Sequence, residues 1–399
     1  EKAVPTKAVV PPAGPRKVLL FGLNVGYPGS NERFPNRKYP AHVTAAGHRS
    51  IAHANLAFTL IGQKTGAFET VASDDPAVFK PENLKRFDAV VFNNTVGNPF
   101  DDPQLRQGLL EFVCGGGGLL GIHGASLTFT DWHKGCRETW PEFGAMLGAR
   151  GANHRQYHEP VVMKLDDPDH PLNRVFAGKE SAYASEFFRF HDPYSRKRVR
   201  VLLSIDTEKT DLSSRKPERE DNDYALAWVR NYGQGRVFYS TIGHDAYVFW
   251  DPTLLEFYLG ALQFVAGDLP APTVPSALVT PAVRAQEKLG WHLAVTAYTF
   301  HKYTLFETID KTAELGIPYV EGLSFQKVSK EIPKNLDLKL TDEELEQVRR
   351  RLDASGVRML TYFYGRIPGD EAGCRKVFEF GRKLGIETFL SEPQPESLP

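Results

Sequence analysis

The 399-residue sequence is poor in sulfur, with three cysteines, Cys114, Cys136 and Cys374, and three methionines. An odd number of thiols without metal-ligand spacing implies neither a disulfide framework nor a cysteine-bound zinc. Excess charge is missing as well: 48 Lys and Arg stand against 49 Asp and Glu, a formal net charge of -1. That balance gives no electrostatic reason to bind nucleic acid or an anionic membrane surface. No stretch approaches the roughly 18 consecutive apolar residues that a membrane helix needs, so a soluble chain with a neutral, polar partner is expected. What the sequence does hold is ordinary globular material, 41% hydrophobic and 24% charged, which excludes large-scale disorder.

At roughly 100 to 200 residues per domain, this length predicts two domains. Residues 1–16 start with Glu1, are rich in Pro, Ala and Val, lack apolar periodicity and read as a flexible lead-in. Such a stretch remains after a cleaved export signal and equally at an arbitrary boundary, so periplasmic or exported and cytoplasmic locations both stay open. From Lys17 to Gly267, apolar runs alternate with helical stretches. Lys17 to Leu23, Phe87 to Asn93 and Gly118 to His123 have the continuous apolar character of buried parallel strands. The segments between them, Ser50 to Thr65 and Pro103 to Cys114, have helical character. This rhythm predicts an α/β domain with a mostly parallel sheet and helices on both faces. Further strands are expected at Glu159 to Leu165, Val199 to Ile205, Ala225 to Arg230 and Arg236 to Ser240, and a helix at Thr253 to Val265. Residues 268–284 are proline-rich and predict a semi-rigid linker. Residues 285–399 restart the alternation, with strands expected at Gly290 to Val295, Pro318 to Leu323, Val357 to Tyr362 and Glu387 to Leu390, and helices between them at Leu305 to Leu315, Thr341 to Ala354 and Glu371 to Leu384.

Histidine exchanges protons near neutral pH and binds metals, and ten of the twelve precede the linker. The sharpest local signal is Gly121-Ile122-His123-Gly124-Ala125, directly after an apolar strand. Small residues flanking one reactive side chain at a strand-to-helix turn are what a nucleophile elbow requires. In class I glutamine-amidotransferase-like folds that place carries Cys; here it carries His123. Without the thiol, amide transfer through a covalent intermediate is not expected. The Gly115 to Gly118 run is not a phosphate loop, because no Gly-Lys-[Ser/Thr] follows.

The elbow with His in the thiol's place resembles the ThuA (trehalose-utilisation) family, which has a G-I-H-[AG]-A motif. Further segments agree in order: Gly47-His48-Arg49-Ser50-Ile51, Asn93-Asn94-Thr95, Asn153-His154, Asp169-His170-Pro171, Glu186, Ala227-Trp228, and Gly235 through His244. Where relatives carry Asp-Glu-x-Tyr, this chain has Ser185-Glu186-Phe187-Phe188, so only the glutamate's role carries over. The resemblance spans residues 17–267 and implies a flavodoxin-like, glutamine-amidotransferase-like fold. Residues 285–399 resemble the opening half of a (β/α)8 barrel of the sugar isomerase/epimerase, xylose-isomerase-like type, through Leu315-Gly316-Ile317-Pro318-Tyr319-Val320-Glu321. Four strands cannot close such a barrel, so this unit is expected to be open on one side and without catalysis of its own.

Ligands of open α/β sheets bind beyond the carboxyl ends of the strands, and His123, Asn94 and His244 fall at or just after such ends. The expected catalytic set is His123, His154, Glu186 and His244, with His48, Asn94 and Trp228 binding a small-molecule carbohydrate. Trp228 would stack on a sugar face, although a strand tryptophan is as readily core. His170, before a proline in a turn, reads as structural. His42, His53, His133, His158 and His191 read as surface or packing residues. Imidazoles with a carboxylate serve either as general acids and bases or as a site for a divalent metal. The resemblance implies an enzyme acting on 3-keto glucosides such as trehalose derivatives, by elimination or hydrolysis. The alternatives are a noncatalytic carbohydrate-binding module and a partner-docking domain, and a homo-oligomer is compatible with each.

Overall fold

The computed structural model describes residues 1–25, 50–131, 137–213 and 219–392, with the backbone alone at 38–39. The runs Lys17–Phe21, Ala89–Asn93 and Gly118–Ile122 are strands buried along nearly their whole length. They are apolar on both faces because successive side chains point to opposite sides of a sheet that is covered twice. Val18, Leu20, Val91, Leu120 and Ile122 pack with helices Ile51–Thr65 and Pro252–Ala266. Leu19, Phe21, Val90, Phe92 and Leu119 pack with Pro103–Cys114 and Pro141–Leu147. Asp102 and Asp251 cap two of these helices by accepting from backbone N–H groups, each with proline at the first helical position.

From edge to edge, the nine-stranded sheet runs Ser181–Ser185, Glu159–Leu165, Arg200–Ile205, Ala225–Tyr232, Gly235–Ser240, Gly118–Ile122, Ala89–Asn93, Lys17–Phe21 and Glu69–Ser73. The last five pair in parallel; the first four extend them antiparallel. The α/β class with helices on both faces stands, with an antiparallel extension added to the parallel part. A separate two-stranded ribbon, Arg150–His154 with Phe188–His191, lies outside this sheet.

The second unit is an open, four-stranded parallel sheet of Ala294–Thr296, Tyr319–Leu323, Arg358–Phe363 and Thr388–Leu390. Helices Leu305–Glu314, Asp342–Ser355 and Glu371–Leu384 supply its core with Leu305, Ile309, Val348 and Phe380. No closed barrel is formed among the described residues. This unit is ion-paired to the first through Arg349–Glu142 (3.2 Å), Arg382–Glu111 (2.9 Å), Arg200–Glu287 (3.0 Å) and Arg230–Asp353.

Two expectations about the connecting segments change. Residues 1–16 are held: Gln263, fully buried, accepts from Val9 N–H (2.7 Å) and donates to the Val10 carbonyl (2.7 Å), and Arg16 pairs with Asp268 (2.8 Å). A buried amide needs those partners, and the lead-in provides them. The linker stretch contains a helix start, because Thr280 caps Pro281–Leu289 by accepting from Val283 N–H.

Candidate active site

His123 follows strand residue Ile122 with φ +43°, a left-handed conformation uncommon for a residue with a side chain. The bend is supported from both sides. A Cβ at Gly121 would stand 2.7 Å from Leu147 Cδ1 and 2.9 Å from the Tyr239 ring, and the Tyr239 hydroxyl donates to the His123 carbonyl at 2.8 Å. His123 is fully buried, and its Nδ1 lies 2.9 Å from the Thr241 carbonyl. A carbonyl only accepts, so the hydrogen-bond pattern assigns the proton to Nδ1 and leaves Nε2 with a lone pair. That lone pair faces Glu186 Oε1 at 3.2 Å. Burial first, and the neighbouring His244 second, hold the His123 imidazole well below its ordinary range. The His123–Glu186 contact is therefore not an imidazolium–carboxylate pair at neutral pH.

Glu186, 3% exposed, lies between the Ser181–Ser185 and Phe188–His191 strands. His154 ends the ribbon strand opposite Phe188, and its Nε2 is 3.5 Å from Glu186 Oε2. Buried Glu159 fixes this ribbon by accepting from Arg155 (2.9 Å) and Arg189 (2.7 Å). His244 follows the Gly235–Ser240 strand, and its Nε2 is 3.8 Å from the same Oε2. Its Nδ1 lies 3.3 Å from Asp245 Oδ1, while Asp245 Oδ2 accepts from Ser185 Oγ (2.7 Å) and the Tyr247 hydroxyl (3.0 Å). The His123 and His244 rings are 5.1 Å apart. Four segments far apart in sequence thus bring His123, His154, Glu186 and His244 to one place.

The other expected residues lie elsewhere or act otherwise. Trp228 is fully buried, stacked on Tyr239 at 4.5 Å, and donates through Nε1 to the Leu147 carbonyl at 2.9 Å. Its side chain points from the sheet toward the covering helix Pro141–Leu147, so no sugar can reach it. Asn94, fully buried with φ +54°, donates to the Gly243 carbonyl (3.2 Å) and to Ser50 Oγ (3.1 Å). It holds the turn that aims His244 and presents no surface to a ligand. His48, with His42 and His133, lies outside the described residues. His170 caps the 3-10 helix Pro171–Phe176: Nδ1 accepts from Leu172 N–H and Nε2 donates to the Pro272 carbonyl (3.0 Å).

Sequence reasoning missed Thr241, Asp245 and Tyr157. Asp245 adjoins His244, and that acidic neighbour was a readable signal. Tyr157 is 68% exposed, with its ring 4.9 Å from His154 and stacked at 6.4 Å on His244. It stands in a turn, where no periodicity marks it.

The parallel strands, the elbow bearing histidine and the carboxylate facing it define a class: an α/β domain with an imidazole–carboxylate centre at the turn after a parallel strand. The family model for ThuA, described as trehalose utilisation, matches residues 41–265, and the chain belongs to that family. Among solved structures, the chain is similar to a ThuA-like protein from Bacteroides uniformis, 22% identical over 63% of this chain and 91% of that one (TM-score 0.47). It is also similar to a ThuA-like protein from Parabacteroides merdae, 18% identical over 64% and 92% (TM-score 0.44). A cytoplasmic protein from Salmonella typhimurium is 16% identical over 62% and 98% (TM-score 0.42). No curated protein matches the chain. No helix among the described residues is long and apolar enough to cross a membrane.

Proposed function

We propose that the chain is a carbohydrate-processing enzyme acting on 3-keto glucosides, trehalose derivatives among them, by elimination or net hydrolysis. The observation that carries this reading is the meeting of three imidazoles from three segments on one buried carboxylate, just beyond the ends of two parallel strands. The description of the family as trehalose utilisation supports the substrate class.

A ketone at C3 of a glucoside acidifies the C2–H bond. When a base takes that proton, the electron pair forms the C1=C2 bond, the C1–O bond breaks, and the departing oxygen takes up a proton as the alcohol. Water adding to the enone completes a net hydrolysis. His154, whose side chain is 27% exposed, is the most accessible of the four groups and is assigned the proton transfer. His123, fully buried with its Nδ1 proton engaged by the Thr241 carbonyl, is assigned no proton transfer. Tyr157 is assigned the stacking role expected of Trp228, because an exposed ring beside two imidazoles offers an apolar face to a sugar. The second unit is read as half of a sugar isomerase/epimerase-type barrel without catalysis of its own.

Steady-state kinetics on 3-ketotrehalose test the proposal. Turnover is expected, and His154→Ala should lower kcat/KM by roughly 10²- to 10⁴-fold while the thermal midpoint holds. A protein that binds the sugar in calorimetry and never turns it over is a binding module. One that ignores a panel of oxidised and unoxidised sugars is a docking domain. Either outcome ends the proposal.

A further inference from the structure

The proton positions at the site raise a question that acid–base chemistry alone does not answer. His123 Nδ1 is committed to the Thr241 carbonyl and His244 Nδ1 lies against Asp245. Both rings therefore turn Nε2 lone pairs toward Glu186, at 3.2 Å and 3.8 Å. A carboxylate offers only lone pairs in return. Glu186 Oε2 is buried and accepts no hydrogen bond among the described residues. Electron-pair donors gathered around one buried carboxylate are held together by a cation placed among them.

We propose that His123 Nε2, His244 Nε2 and the Glu186 carboxylate bind one first-row divalent transition cation of the zinc class. The ligand atoms all lie within 4.8 Å of one another. Metal–ligand bonds of about 2.0–2.2 Å at tetrahedral angles put ligand pairs about 3.3–3.6 Å apart, a range that the two measured distances of 3.2 Å and 3.8 Å bracket. Two imidazoles with one carboxylate suit zinc, iron, cobalt or nickel better than calcium or magnesium, which prefer all-oxygen shells. The surroundings match what such ligands need. Each histidine's far nitrogen meets a carbonyl or a carboxylate, an arrangement that fixes the ring and the metal-facing tautomer. Asp245 is itself anchored by Ser185 and Tyr247. His154, on the more exposed side of Glu186, is left outside this set as the group that meets substrate. When bound, the ion would polarise a sugar oxygen.

This deepens the proposed function and rests on that reading only for what the ion does; the binding itself is tested without any sugar. The full chain, stripped with a chelator and dialysed, would be titrated with zinc chloride in a calorimeter, its metal content measured by mass spectrometry, and cobalt(II) substituted for an absorption spectrum. About one ion per chain is expected, with a cobalt spectrum of nitrogen and oxygen ligation and no thiolate charge-transfer band. Zinc should raise the thermal midpoint by mass action. Glu186→Gln should abolish the stoichiometric site, and Asp245→Asn should weaken it by roughly 10- to 100-fold through the His244 ring. His292→Ala, in the second unit, should change nothing. If Glu186→Gln fails to fold, the Asp245→Asn arm decides alone. A wild-type chain that takes up no stoichiometric metal, a thiolate cobalt spectrum, or an Asp245→Asn site as tight as wild type overturns the proposal. Metal bound without turnover on 3-ketotrehalose would instead sink the proposed function and leave the metal site standing.

Discussion

At the scale of single residues, burial separates the aromatic groups that stabilise from those that can recognise. Trp228 fills a fully buried place against Tyr239, Phe190 and Tyr194. Trp228→Ala should cost about 3–5 kcal/mol of stability, read from urea unfolding. Tyr157→Ala should leave stability within about 0.5 kcal/mol and raise KM for the keto-sugar instead. The reverse pattern would return the stacking role to the core. His170 makes a pH prediction. Burial, against the pull of the Pro272 carbonyl, pushes it down to about 4 from an ordinary 6.5. Its folded pKa lies below its unfolded one, so the unfolded chain takes the proton first. Its contribution is whole above about pH 6.5 and falls away as pH drops toward 4. The loss is on the order of 2 kcal/mol at pH 5. His170→Asn should flatten the fall in unfolding free energy between pH 7 and 5; an unchanged slope would mean that other groups set the acid sensitivity.

At the scale of elements, the site depends on turns more than on strands. Gly243 precedes His244, and a Cβ there would stand 2.3 Å from Ile122 Cγ2. The same turn is tied down by Ser50 Oγ donating to the Gly243 carbonyl at 2.5 Å and by Asn94. Gly243→Ala should cost about 1–3 kcal/mol through overcrowding and lower kcat more than the stability loss explains. Activity retained at full level would show that the turn tolerates a shift. The strands were legible where both faces are covered, because Lys17–Phe21, Ala89–Asn93 and Gly118–Ile122 carry unbroken apolar runs. Glu69–Ser73 was not, since it is a half-exposed edge strand with no run to read. The ribbon Arg150–His154 with Phe188–His191 was missed for a related reason: Arg189 within it and Arg155 just after its first strand are buried around Glu159, and local hydrophobicity does not record that pairing. The elbow histidine and His244 were legible from small residues at strand ends. Tyr157 and the buried fate of Trp228 depend on contacts between segments that no local pattern encodes.

At the scale of the whole molecule, the two units meet through charge as much as through apolar contact. Glu142 is 3% exposed, and burial raises its carboxyl above the usual range even with Arg349 at 3.2 Å. Removing one member of a buried pair strands the other. Arg349→Ala should destabilise the chain by about 3–5 kcal/mol in urea unfolding. A change of under about 1 kcal/mol, the range of exposed pairs, would mean that the junction contributes little. Within the first unit, the sheet carries His123 at the turn after a central parallel strand, and the antiparallel extension and ribbon bring Glu186 and His154 to it. The most direct test of this arrangement is proton NMR of a 3-keto glucoside in deuterated water with the wild-type chain and with His154→Ala. Loss of the C2–H signal with the wild type, slowed by roughly 100-fold or more in the variant, is the predicted result. A wild-type chain that binds the sugar and leaves C2–H untouched would contradict it.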